Sequence, residues 1–550
     1  MPSGLDAASL DAFLDSLRAV AKERLSDSTL QQYDRDDVFP EDIVRNVFGE
    51  ELGVQLLFLD EAYGGFSGDA FDIYRVSEEM GRIDLGLATG VLATFLGSDP
   101  IAVGGTPEQK ALWLGRIASE HILFAYGATE PSAGSDLGAL RTKAERVEED
   151  GKIVGYKITG AKQWISNGAV ADAVTILANT PGGPTWFVVD KGTPGFTAGR
   201  KEEKHGIRAS ITSPLNLEDV YVAADRLIGG VEGQGLMQAQ AVFGYTRLMV
   251  AAFGLGGGWT ALDRAIKYST ERVQAGSPLS EKGGYTHKLI VPHAIRLEAS
   301  RAYIEETATR LDAGGERLNT EGAIAKLLAS EAGNAAAEAA IQALGGYGYT
   351  HEYMVEKMKR DVRITTIYEG TSEILEMTIG RDRWQLHLKS RGAHYHDEAR
   401  KLEAVHRQNP HVGADIAALA THALAELLER ARVGRLTRHQ HVLFRIGEFI
   451  ALAETAGAFA RRAAAKAAGT LPPKAHTRFD AATLAAMSRV NARNVAIDLV
   501  VRGLALMASP EDEPVALEAA VGLPAIHRAQ VGLLADMDAI ADAIYGRTPA

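Results

Sequence analysis

In the run Arg360-Asp361-Val362-Arg363-Ile364-Thr365-Thr366-Ile367-Tyr368-Glu369-Gly370-Thr371-Ser372-Glu373-Ile374, Glu369 is a carboxylate set between an apolar approach and a small, hydroxyl-bearing exit. Tyr368 lets the side chain sit among carbon atoms, while Gly370 admits a second backbone or a ligand. Burial disfavours the charged form and raises a carboxylate's proton affinity, as a base acting on a weakly acidic C–H near neutral pH requires. A helix-capping acid ahead of Thr371 and Ser372 is the competing reading of the same residues. A second cluster, Phe124-Ala125-Tyr126-Gly127-Ala128-Thr129-Glu130-Pro131-Ser132-Ala133-Gly134-Ser135-Asp136, combines small residues and hydroxyls that leave backbone N–H groups open to an anion or a heteroaromatic edge. An ordinary Gly/Ser turn fits it as well. Trp164-Ile165-Ser166-Asn167-Gly168 offers an indole that could cover a flat cofactor and a hydroxyl that could bond a ring nitrogen, against the plainer reading of a core tryptophan. The glycines of Gly254-Leu255-Gly256-Gly257-Gly258 lie within a helical pattern, so they lack the strand-to-helix context of a dinucleotide fold, and close helix packing explains them better.

The elements that must position these residues follow from periodicity. From Leu10 to about Ile122, apolar residues recur at three- and four-residue spacing, as in Leu10, Phe13, Leu14 and Leu17. Between about Phe124 and Val231 the period falls to two, in runs such as Thr185-Trp186-Phe187-Val188-Val189 separated by glycine and proline turns. Helical periodicity then returns, breaks at Arg391-Gly392-Ala393-His394, and resumes to the C-terminus with an interruption at Leu471-Pro472-Pro473. The expected fold is a multidomain α+β protein: an N-terminal helical domain over 1–123, a central antiparallel β domain over 124–231, a C-terminal four-helix-bundle-like domain over 232–388, and a helical extension over 389–550.

At 550 residues the chain exceeds what one hydrophobic core usually holds. It contains no cysteine, which excludes disulfides, thiolate zinc sites, iron–sulfur ligation and a cysteine nucleophile, and no metal is expected. Its net charge of −13 argues against nucleic acid as a main partner. The acidity lies at the front: residues 391–550 carry 19 Lys/Arg against 17 Asp/Glu, the remainder 39 against 54. The first residues, with Asp6, Asp11 and Asp15, lack the pattern of a signal peptide, and the expected location is cytoplasmic.

Taken in order, Tyr126 to Asp136, Trp164 to Gly168, Arg272-Val273-Gln274-Ala275-Gly276-Ser277-Pro278-Leu279, Gln342-Ala343-Leu344-Gly345-Gly346-Tyr347-Gly348-Tyr349 and Tyr368-Glu369-Gly370-Thr371 resemble the acyl-CoA dehydrogenase family over roughly residues 40–388. The resemblance implies FAD held without a Rossmann fold and α,β-dehydrogenation of an acyl-CoA thioester, giving a trans-2-enoyl-CoA. By family position Glu369 resembles the base that removes the α-proton while a hydride leaves the β-carbon for flavin N5. The Glu369 backbone N–H and a flavin ribityl hydroxyl would bond the thioester carbonyl. Cofactor contacts fall on Tyr126, Ala128, Thr129, Ser135, Trp164 and Ser166. Arg272, Gln274, Gln342, Gly345, Gly346, Thr371 and Glu373 resemble the set at the adenosine and phosphate end, partly across a subunit interface, so a homodimer or homotetramer is implied. Ser135, Tyr245, Arg247, Arg317 and Gly370 resemble substrate-side positions.

Some family members place the base just before the arginine aligned with Arg247, where this chain has Thr246. The family's Phe-Gly is here Ala275-Gly276, and a later Phe-Gln pair is replaced by Lys282 and Gly283 in a lengthened loop. Glutaryl-type members carry an arginine where Leu87 stands, which favours an apolar acyl tail. The electron acceptor implied is an electron-transfer flavoprotein. An acyl-CoA oxidase, a dehydrogenase of dicarboxyl or branched acyl groups, and a non-catalytic flavoprotein scaffold are the rivals. The extension resembles that of very-long-chain members in length and helical character. Its segment 430–478 holds ten Lys/Arg and only Glu448 and Glu454 as acids: a peripheral membrane contact or, as favoured here, the solvated face of an added bundle.

Overall fold

The computed structural model describes residues 4–314, 318–509 and 513–547, without the side chains of 242–245. The chain divides into two units, 1–249 with 360–364 and 250–359 with 365–550.

The first unit opens with helices α1 (Ala7–Arg24), α2 (Asp27–Asp36), α3 (Ala70–Ile83), α4 (Leu85–Gly104) and α5 (Pro107–Glu120). Local chemistry starts each of them: Asp6, Ser26, Asp69, Asp84 and Thr106 cap the first turns, and the Asp69/Asp72 and Thr106/Gln109 pairs close capping boxes. Leu10, Leu14 and Leu17 of α1 are buried on one stripe, as their spacing predicts. A seven-stranded sheet follows, made of β1 (Phe124–Gly127), β2 (Lys143–Glu149), β3 (Lys152–Ser166), β4 (Ala173–Thr180), β5 (Gly183–Asp190), β6 (Phe196–Ala198) and β7 (Thr212–Ala223). Its order is β1-β4-β2-β3-β7-β6, with β5 paired to β4. The β2–β3, β3–β7, β4–β5 and β6–β7 ladders are antiparallel. The β1–β4 ladder and the Lys143–Asn179 contact are parallel, because the chain leaves β1 through a long loop and a hairpin before returning in the same direction as β4. Trp186, Phe187, Val188 and Val189 of β5 are all buried, so both faces of this strand are covered.

Helix α6 (Gly235–Glu271) runs from the first unit into the second. The second unit continues with the two-residue strands β8 (Val273–Gln274) and β9 (Ser277–Pro278), then α7 (Gly283–Leu289), α8 (Val291–Asp312), α9 (Asn319–Leu344), α10 (Gly346–Tyr349), α11 (Val355–Val362), whose last three residues are counted with the first unit, and α12 (Ser372–Lys389). The glycine-rich run of α6 is a helix-packing surface: a Cβ on Gly333 of α9 would stand 2.1 Å from the Gly254 carbonyl oxygen, and one on Gly258 would stand 2.7 Å from Gly333 Cα. Arg391 and Gly392, at φ +53° and +84°, turn the chain after α12. The extension then forms α13 (Ala393–Gln408), α14 (Ala414–Val433), α15 (Gln440–Ala468), α16 (Ala481–Met507), α17 (Pro514–Ala520), α18 (Leu523–Ala529) and α19 (Leu533–Tyr545).

Buried and part-buried ion pairs hold the extension to the helices before it. Arg462 of α15 donates to Glu305 (2.7 Å) and Glu298 (3.3 Å) of α8, and Arg301 also donates to Glu298. Arg383 of α12 donates to Glu454 of α15 at 2.7 Å, and the hydroxyls of Tyr303 and Tyr395 donate to the same carboxylate. Burial opposes ionisation of Glu454, but Arg383 and the two hydroxyls outweigh it and hold the carboxyl below its ordinary range. Burial lifts both tyrosines well above theirs. A cavity of about 530 Å³ opens beside this network, lined by Tyr303, Arg383, Tyr395 and Glu454 among others, and by none of the sequence-predicted site residues. Within the 430–478 segment, Arg445 pairs with Glu376, Arg461 with Glu306 and Arg478 with Asp263, while Arg432, Arg435 and Arg438 are exposed. Among the described residues, α4 is long and apolar enough to cross a membrane, but 78% of its most apolar window is buried in the protein.

Candidate active site

In the first unit, the β1 end and the loop after it are tightly constrained. A Cβ on Gly127 would lie 2.5 Å from Ile176 Cδ1 and 2.9 Å from the Thr175 carbonyl oxygen, so only glycine fits beside β4. The Tyr126 ring packs on Trp186 with centroids 4.7 Å apart. Ala128 is buried, Thr129 half-buried and Ser135 exposed, and reciprocal backbone hydrogen bonds between Glu130 and Ala133 close a turn. Strand β3 carries an extra residue in its pairing with β7: Lys162 faces Leu215, yet Ile165 already faces Ser213. The bulge holds Trp164 at φ +56° and leaves the residue 62% exposed, beside the half-buried Ser166. So Trp164 is not a core residue. A large exposed ring on the strand that the Ala128–Glu130 turn is tied to, beside a hydroxyl, is a surface that a flat heteroaromatic group would cover.

Two residues not singled out from the sequence brace this surface. Lys162, fully buried, donates from Nζ to Glu130 Oε1 (2.8 Å) and to the carbonyl oxygens of Ala128 (3.2 Å) and Leu177 (2.6 Å). Glu130 also accepts from the backbone N–H groups of Arg141 and Thr142. The signal was present in the alternation of β3, which places Lys162 on the same buried side as Tyr156 and Ile158. Arg247 and Thr246 are buried on α6. Leu87 is fully buried in α4, with Leu85, Leu92 and Phe95 also buried.

In the second unit, Glu369 stands on the turn between α11 and α12. A 3₁₀ turn, Arg363–Thr366, precedes it. Glu369 adopts φ +55° and Gly370 φ +97°, and Glu369 is half-buried. The N-cap of α12 is Thr371, whose hydroxyl accepts from the Ile374 N–H at 3.3 Å. One face of α9 pins both ends of the turn: Lys326 Nζ donates to the Gly370 carbonyl oxygen (2.6 Å), and Ser330 Oγ donates to that of Thr365 (3.0 Å). Neither α9 residue was singled out from the sequence, although Lys326 is the charged residue within the Ala-rich run Ala323 to Ala329. Glu331, also on α9, accepts from Ser372 Oγ at 2.6 Å.

Arg272 lies over the Tyr347 ring, 5.9 Å from its centroid, which brings the β8–β9 hairpin to the Gly345-Gly346 corner. Ala275 and Gly276 form the hairpin turn at φ +50° and +86°. Gln274, Gln342, Gly345, Gly346 and Glu373 are exposed, and Thr371 is half-buried. The Tyr245 side chain and Arg317 lie outside the described residues.

Known families match this chain in three consecutive parts: the acyl-CoA dehydrogenase N-terminal domain over residues 8–121, the middle domain over 125–220 and the C-terminal domain over 233–383. The cyclohex-1-ene-1-carbonyl-CoA dehydrogenase of Geobacter metallireducens is 37% identical over 374 residues, covering 67% of this chain and 96% of that protein. The butyryl-CoA dehydrogenase structure from Megasphaera elsdenii superposes with a TM-score of 0.63 at 34% identity, covering 68% of this chain and 97% of the other. An acyl-CoA dehydrogenase from Bacillus anthracis, solved with FAD, superposes with a TM-score of 0.82 over 98% of this chain and 95% of its own at 22% identity, so its fold extends through the C-terminal helices. Helical, sheet and helical domains in this order, matched by relatives named acyl-CoA dehydrogenases, define an oxidoreductase acting on acyl-CoA. The chain belongs to the acyl-CoA dehydrogenase family.

Proposed function

We propose that this protein is an FAD-dependent acyl-CoA dehydrogenase in which Glu369 removes the α-proton of a saturated acyl-CoA thioester, yielding a trans-2-enoyl-CoA. The observation that carries this is the Glu369 turn, whose two ends are fixed by Lys326 and Ser330 of α9. A base so held needs no rearrangement to meet a C–H bond. FAD, when bound, accepts the β-hydride. Trp164 supplies a face for the flavin ring, Ser166 and Thr129 supply hydroxyls, and the Ala128–Thr129 backbone supplies edge contacts. The Glu369 N–H donates to the thioester carbonyl and stabilises the charge that develops there as the α-carbon loses its proton.

Arg272, Gln274, Gln342, Gly345, Gly346, Thr371 and Glu373 hold the adenosine and phosphate end, and the closeness of Arg272 to Tyr347 supports their grouping. Ser135, Arg247 and Gly370 serve the substrate side. A leucine at position 87, in an apolar stretch of α4, favours an uncharged acyl tail. Electrons leave to an electron-transfer flavoprotein, and the enzyme works as a homodimer or homotetramer. A four-part division at about residues 123, 231 and 388 accords with the ranges of the three matched domains.

The test is the visible spectrum of the purified protein under nitrogen, before and after linear, branched and dicarboxyl acyl-CoA thioesters. Fast bleaching of the flavin band by a linear thioester, slowed roughly 10³-fold in Glu369→Gln, is expected. Substantial bleaching in Glu369→Gln would displace Glu369 as the base.

A further inference from the structure

We propose that Lys162 is a positioning residue for the cofactor, locking the turn Ala128-Thr129-Glu130 and the strand end Trp164-Ile165-Ser166 into one block. The inference rests on the assignment of Ala128, Thr129, Trp164 and Ser166 to the flavin given above. An ammonium group has three N–H donors, and the Lys162 ammonium has three acceptors: the Ala128 carbonyl, the Glu130 carboxylate and the Leu177 carbonyl. The first two belong to the turn and the third to β4, so one side chain ties the turn to the sheet beneath it. The next residue adds a fourth tie, the Gln163 N–H donating to the Thr129 carbonyl at 2.9 Å. Two successive residues of β3 therefore grip three successive residues of the turn, immediately before the bulge that presents Trp164 outward. Glu130 passes the constraint on to the backbone N–H groups of Arg141 and Thr142.

A buried ion pair is a poor device for stability alone, since burying both charges offsets their attraction. It is a good device for fixing positions, because every partner must be met for the charge to be tolerated. Methionine in place of Lys162 would fill the space and leave the Ala128 and Leu177 carbonyls and the Glu130 carboxylate to relax independently. Glu130 is the charged group that faces Lys162, and the other two partners are backbone carbonyls. Burial, countered by Glu130, pushes the Lys162 ammonium down to about 8, so mild alkali removes one of the three donors.

The experiment follows FAD release from the holoprotein by the rise of flavin fluorescence, alongside thermal unfolding of each apoprotein, for Lys162→Met, the double variant Lys162→Met/Glu130→Gln, Thr129→Val and Trp164→Ala. Release about tenfold faster or more in both Lys162 variants is expected, with the apoprotein midpoint of the charge-free double variant close to that of the parent. The parent's release rate should also rise as pH passes about 8, and that step should be missing from the Lys162 variants. If Thr129→Val and Trp164→Ala speed release but both Lys162 variants do not, this inference falls and the flavin assignment stands. Unchanged release in all four variants would overturn the flavin assignment, and this inference with it. A double variant with a lowered midpoint and parental release would reduce Lys162 to a structural role.

Discussion

At the scale of single residues, Glu369 occupies a left-handed conformation that side chains other than glycine rarely adopt, and such positions persist where surrounding structure over-determines them. The over-determination here is Lys326 and Ser330. Replacing Glu369 by glutamine keeps size and backbone while removing the base, and should slow acyl-CoA-dependent flavin bleaching by roughly 10³-fold, read by stopped flow. Lys326→Met acts differently: the Gly370 carbonyl loses its donor, a loss of about 1–3 kcal/mol, and the turn loosens. The expected outcome is slower bleaching with undiminished FAD content, measured on the same protein. A third prediction concerns acid. His293 has a buried Nδ1 without a hydrogen-bond partner, and burial together with Arg296 pushes its ring down to about 4 from the ordinary 6.5. Below about pH 6.5 the unfolded chain takes up a proton that the folded chain refuses, so stability falls as pH drops from there toward 4. Urea midpoints measured from pH 7 to 4.5 should fall more steeply for the parent than for His293→Asn.

At the scale of elements, α9 does two jobs on different faces. One face carries Lys326 and Ser330 to the Glu369 turn, and Gly333 lets α6 approach until backbone meets backbone. Gly333→Ala should cost about 1–3 kcal/mol through overpacking, seen as a lowered thermal midpoint, and should also disturb bleaching because the same helix holds the turn. Much of this was legible in the sequence. Three- and four-residue spacing marked α1, the switch to period two marked the sheet, and the helical context of Gly254 to Gly258 pointed to packing rather than phosphate binding. What stayed hidden were contacts between residues distant in the chain. Nothing local says that Lys162 answers Glu130, 32 positions earlier, or that Lys326 answers Gly370, 44 positions later. Alternation could place Lys162 inside but could not supply its partners. Nor could spacing show that β1 and β4 run parallel, since strand direction depends on the path between them.

At the scale of the whole molecule, the extension is joined to α8 by charges sunk in the interior and to α12 by a part-buried pair beside a cavity. A chain ending at residue 389 would remove Arg462 and uncover the face of α8 that packs against α15 and α16, apolar residues included. Such a truncation should be recovered mainly as aggregate, which size-exclusion chromatography would report, whereas Arg462→Met combined with Glu298→Gln and Glu305→Gln in the full chain should remain soluble. Joints of this kind also respond to heat in their own way. The penalty for withdrawing charges from water shrinks on warming, while the gain from burying apolar surface levels off. The seam between α15 and its neighbours therefore grows relatively firmer as temperature climbs.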